Sequence, residues 1–170
     1  ALAGVVREHH FREPAIRADL ARLGEQPERH PPLPATRLFC ERIEGLASAD
    51  PPALLGTLYV LEGSTNGGRY IAPAVRKSLG LPDGAQAGSG TEYLEPHGDR
   101  QACRWSLFKA SLDVVTFTPA ECDLIAAVAS DAFRGVYDIF EDLTHPPNRP
   151  QVTACPHPPA EKEEGTPQGT

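Results

Sequence analysis

Between Leu54 and Ile71 the chain reads Leu-Leu-Gly-Thr-Leu-Tyr-Val-Leu-Glu-Gly-Ser-Thr-Asn-Gly-Gly-Arg-Tyr-Ile. The stretch opens as a strongly apolar helix and then meets Gly63, Gly67 and Gly68. A glycine inside a helix costs about 1 kcal/mol relative to alanine, so the cluster needs a reason. Gly63 and Gly67 stand one turn apart and leave the same face bare, and Gly68 widens the gap. Two readings account for this. A planar group can press on the bare face, with backbone groups freed by a local kink pointing at it, or a neighbouring helix can pack there closely. A phosphate-binding loop is excluded, because there is no preceding strand, no Gly-Lys-Ser/Thr ending and no dinucleotide-type glycine spacing. Ser64 is placed to bond back to the Val60 carbonyl, and Glu62 to bind neighbouring backbone or a cationic side chain.

Working upstream, Asp50 followed by Pro51 predicts an N-cap and first helical position for a long helix running from Ala53 to Leu79. A short helix is expected over Ala35 to Ala47, burying Leu38 and Ile43, after a proline-rich loop from Glu25 to Pro34. Before that, Leu2, Val5 and His9 share a helical face, and Glu8 with Arg12 and Glu13 with Arg17 have supportive i,i+4 spacing. Pro14 kinks that helix or starts a second one, whose stripe of Ile16, Leu20 and Leu23 ends at Gly24.

Downstream, Gly80 to Gly90 reads as loop. A helix after Asp99 carries Trp105, Phe108 and Leu112 as core and ends near Thr116. Thr118, Pro119 and Glu121 form a capping box for the last helix, through Ile125, Ala129 and Phe133 to Leu143. Strand-like alternation is nowhere sustained, so the chain is expected to be all-α, a helical bundle over residues 1–143. Residues 144–170, rich in proline and charge, are expected to be a flexible tail.

The chain has 170 residues, with 16 Lys plus Arg against 23 Asp plus Glu and a formal charge of −7. That balance argues against nucleic-acid binding, and the longest apolar run, Ala53 to Leu61, is too short to span a membrane. Cys40, Cys103, Cys122 and Cys155 form no CxxC or zinc spacing, which favours a reducing cytoplasm. Cys103 and Cys122 are expected to be buried, inert thiols. Adjacent His9 and His10 point about 100° apart on a helix, so only one could face a cofactor, and packing is the better account of both. His97, near Glu95 and Asp99, is read as part of a turn. A carboxylate-bridged metal site would need a Glu-x-x-His pair on a helix, and the nearest candidates, Glu92 and Glu95 with His97, lie in a loop-like stretch.

The segment from Leu55 to Gly68 resembles the distal helix of bacterial heme oxygenases, especially the biliverdin-producing kind encoded beside bacteriophytochromes. Tyr93 to Leu112 and Leu124 to Phe140 are similar to the two helices that follow in that family. The likeness implies an all-helical, heme oxygenase-like domain that cleaves heme, with dioxygen and electrons from a ferredoxin or reductase, to biliverdin, carbon monoxide and iron. It also implies that Gly63, Gly67 and Gly68 let heme and dioxygen approach the backbone, with Ser64 and Asn66 lining or flanking that side. Tyr59, Arg69 and Arg76 become candidates for holding heme, the two arginines through its propionates. The family's proximal histidine belongs to earlier helices, which on this likeness are missing ahead of Ala1, so the iron ligand stays unassigned. The alternative implied is a non-catalytic protein of the same fold, acting through heme binding or through dimerisation that covers exposed apolar surface.

Overall fold

The computed structural model describes residues 2–84 and 88–145, and among them there is no strand. Six α-helices follow in order: α1 (Leu2–Val5), α2 (Glu13–Arg22), α3 (Pro34–Ala49), α4 (Leu54–Leu79), α5 (Gln101–Asp113) and α6 (Pro119–Thr144). The all-α expectation therefore holds, and no helix among the described residues is long and apolar enough to cross a membrane. Of the expected tail, only Thr144 and His145 fall within the described residues.

Local signals set the helix ends. Thr118 Oγ1 accepts the Glu121 N–H while the Glu121 carboxylate accepts the Thr118 N–H, with Pro119 at the first helical position. Gly80 closes α4 in the left-handed region at φ +63°. Asp50 departs from its expected role, because its side chain makes no capping bond and Pro51–Ala53 form a 3-10 turn leading into α4.

The N-terminal segment is less regular than its periodicity suggests. The helix stops at Val5, a 3-10 turn covers Glu8–His10, and α2 starts at Glu13 with Pro14 in its first turn. Glu13 and Arg17 pair at 2.8 Å as expected. Glu8 and Arg12 do not share a helix, and Arg12 pairs elsewhere.

α4 is the axis of the fold and packs most extensively on α6, which also receives α3. The α4–α6 crossing is a backbone contact: a Cβ on Gly56 would lie 2.3 Å from the Ile125 carbonyl oxygen and 2.7 Å from the Ala129 nitrogen. Val5, Leu55 and Phe108 form the apolar centre, with Leu58, Trp105, Leu112, Val115, Phe117 and Ile125 packed around them. Trp105, Phe108 and Leu112 thus take the core role expected of them.

Three packing expectations are corrected. The buried face of α6 is Val128, Ala132 and Gly135, whereas Phe133 is 64 % exposed, because α3 approaches through the Phe39 ring at Gly135. Leu38 is exposed and α3 buries none of its side chains fully. In α2 the apolar stripe is not the anchor. Its one buried residue is Asp19, whose carboxylate accepts the N–H groups of Glu92 and Tyr93, both at 2.8 Å.

Candidate functional site

Along α4 each residue advances about 100° around the axis. Gly63 and Gly67 therefore share a strip on one side, with Ser64 and Asn66 flanking it left and right. The glycines have different surroundings. A Cβ on Gly68 would lie 2.1 Å from the Leu94 carbonyl oxygen, so close packing of the 91–97 segment explains that position. A Cβ on Gly63 would meet only the Trp105 ring edge, at 3.4 Å. A Cβ on Gly67 would have nothing within 4 Å. No protein neighbour accounts for the missing side chain at Gly67, although it sits in the middle of a helix where alanine would be favoured.

α4 runs as α-helix through all three glycines and through Pro73. The carbonyls expected to be freed at a kink are instead taken by side chains three residues on. Ser64 Oγ donates to Leu61 at 2.7 Å, Thr65 Oγ1 to Glu62 at 2.6 Å, and Asn66 Nδ2 to Gly63 at 3.1 Å. Ser64 thus bonds to Leu61 rather than Val60. From α5, Gln101 Nε2 donates to Thr65 Oγ1 at 2.5 Å, locking this turn from below.

Tyr59 stands on the strip side, 40 % exposed, with its ring 5.2 Å from Trp105. Tyr70, also on that side, is 72 % exposed and accepts a 2.6 Å hydrogen bond from Arg69, whose guanidinium folds back over the Tyr70 ring. Arg69 therefore reaches the margin of the strip. Arg76 does not: it shares the register of Arg69, but that register faces away from Gly63 and Gly67. Arg76 is buried there, ion-paired with Glu95 and donating to Thr91 Oγ1 at 2.9 Å. Burial against the 91–95 segment, which supplies a carboxylate, removes Arg76 from the expected propionate role. Cys103 and Cys122 are exposed, contrary to expectation, because both lie on outward faces of α5 and α6.

Glu62 lies behind the strip, toward the buried side of α4, and finds there the cationic partner expected of it; the polar cluster built around that pair was not legible in the sequence. Glu62, 2 % exposed, takes a 2.6 Å ion pair from Arg12, and His97 Nε2 lies 3.3 Å from its other oxygen. The His9 ring packs edge-on to His97 and His10, and His10 edge-on to Phe108. An acidic residue inside the apolar run Tyr59 to Gly63 was the available signal, since buried carboxylates are held by partners. Among the described residues, no group of three or more His, Cys, Asp or Glu side chains is arranged to hold a metal ion.

Burial holds His9, His10 and His97 below the ordinary imidazole value of 6.5. Burial pushes Glu62 up, but the hydrogen bond and charge of Arg12, aided by His97 and His10, outweigh it and hold the carboxyl below 4.5. On acidification the unfolded chain takes up these protons before the folded chain does, so all four groups make stability rise with pH. The melting temperature should fall as pH drops from about 7 to about 5, through the histidines, and again at lower pH through Glu62. His97→Gln should flatten the upper part of that profile. A melting temperature independent of pH over this range would contradict the assignment.

A family model described as heme oxygenase matches residues 1–142 of the chain. No curated relative and no solved structure matches it.

Proposed function

The chain belongs to the heme oxygenase family, and from that premise we propose that it binds heme against the Gly63–Gly67 strip of α4 and supports heme cleavage. The substrate is opened to biliverdin, carbon monoxide and iron, with dioxygen and electrons from an external donor such as a ferredoxin or reductase, as in the bacterial enzymes encoded beside bacteriophytochromes.

The observation that carries this reading is Gly67. It is a mid-helix glycine whose absent side chain serves no packing purpose, on a face bordered by exposed aromatic rings. A flat porphyrin needs such a bare strip, because any Cβ there would hold it off the helix. Tyr59 and Tyr70 supply apolar ring surface on the same side, and Arg69 supplies a cation at its margin for a propionate. Asn66 and Ser64 flank the strip with polar groups, while their donors stay engaged with helix carbonyls. The neighbouring Glu62–Arg12 pair fixes the rotational setting of α4, so that Gly63 and Gly67 point outward. The exposed Phe133, Tyr137 and Phe140 of α6 offer apolar surface that a second copy of the chain would cover.

Titration of the purified chain with hemin tests the binding step. A Soret band shifted from that of free hemin, saturating near one equivalent, is expected. Supplying a reduced ferredoxin and dioxygen should then convert the heme spectrum to that of a bilin. Weak, featureless association would remove the heme reading. Stoichiometric heme that survives reduction and oxygen would restrict the protein to heme binding.

A further inference from the structure

A cavity of about 500 Å³ opens between the segment Val5–His10 and α5, within the size range of small-molecule sites. Its wall includes Arg7, Glu8, His9, His10, Arg104 and Phe108. The chain as a whole carries −7, yet here two guanidiniums face one carboxylate. Among the described residues neither Arg7 nor Arg104 has an ion-pair partner, in contrast to Arg12, which Glu62 neutralises. The field of Arg104 and, more weakly, of Arg7 falls on His9, adding to the effect of burial in disfavouring its protonation.

The hydrogen-bonding groups point the same way. His10 Nδ1 accepts the Arg7 backbone N–H at 3.2 Å, so the neutral ring carries its proton on Nε2 and presents a donor. His9 has no hydrogen-bond partner among the described residues. The wall is therefore rich in donors and poor in acceptors, a composition that suits an anion. Leu107, 58 % exposed in this wall and backed by the buried Phe108, gives the cavity an apolar side.

We propose that this cavity is a second ligand site, separate from the glycine strip, that takes a small aromatic carboxylate. The carboxylate lies between Arg104 and Arg7, and the ring lies along Leu107. The inference does not rest on the heme reading, since none of its residues belongs to the strip.

The test is a calorimetric titration of the full chain with 2-naphthoate and with its uncharged analogue 2-naphthalenemethanol. The acid should saturate one site, and the alcohol should bind at least tenfold more weakly. Arg104→Gln should weaken the acid at least tenfold, while Arg104→Lys, which keeps the charge, should retain most of the affinity. If Arg104→Gln fails to fold, the comparison of acid with alcohol on the unmodified chain still decides. Adding one equivalent of hemin should leave naphthoate binding unchanged. Equal binding of acid and alcohol, unaltered affinity in Arg104→Gln, or displacement of naphthoate by hemin would each overturn the proposal.

Discussion

Gly68→Ala and Gly67→Ala, one residue apart on the same helix, should change stability in opposite directions. At Gly68 the new Cβ would sit 2.1 Å from the Leu94 carbonyl oxygen, and a backbone atom held by its own loop cannot step aside cheaply. The expected cost is at least the ~1–3 kcal/mol typical of overpacking. At Gly67 the new Cβ meets nothing within 4 Å. Alanine there should gain up to about 1 kcal/mol from helix propensity. Urea unfolding measures both. Function should invert the order: Gly67→Leu should fold at least as well as the parent and lose stoichiometric hemin binding. A Gly67→Leu chain with an unchanged Soret titration would show that heme does not use this strip.

The second large effect concerns Arg12. Its guanidinium neutralises a Glu62 carboxylate that is 2 % exposed, and the two residues lie 50 positions apart in the chain. Arg12→Ala would leave that charge buried without its cation, a change that costs about 3–5 kcal/mol for buried pairs. Glu62→Gln leaves no buried anion, so it should cost distinctly less. In the double variant Arg12→Ala with Glu62→Gln, much of the loss should return, and a double-mutant cycle by urea unfolding should give a coupling energy above about 1 kcal/mol. Additive losses would mean that the pair contributes only through packing.

Features that depend on near neighbours were legible in the sequence. The capping box at Thr118, the glycine stop at Gly80 and the helical run through Leu54 to Leu79 all follow from chemistry within a few residues. The glycine strip was legible as a bare face, but its division was not. Gly68 is explained by the Leu94 backbone, and nothing near position 68 in the sequence announces that approach. A cation for Glu62 was legible but Arg12 as its source was not, and Asp19 with the amides of Glu92 and Tyr93 was hidden for the same reason, since each is fixed by tertiary packing. Phe133 shows the opposite error. Its spacing fits an apolar face, yet the small residues Ala132 and Gly135 are the ones that let α3 and α6 approach.

Pro73 lies inside α4, nearly two turns past the bare strip. Lacking an amide hydrogen, it cannot close the rung to the carbonyl of Arg69, and its ring crowds that same oxygen. Bending α4 is cheaper there than it would be with that rung intact. The last turn is tethered on its far side by Arg76 and Glu95, so any swing is hinged and one-sided. Tyr70 and Ile71, both exposed, lie within that weakened turn, so a bend there alters how they border the strip.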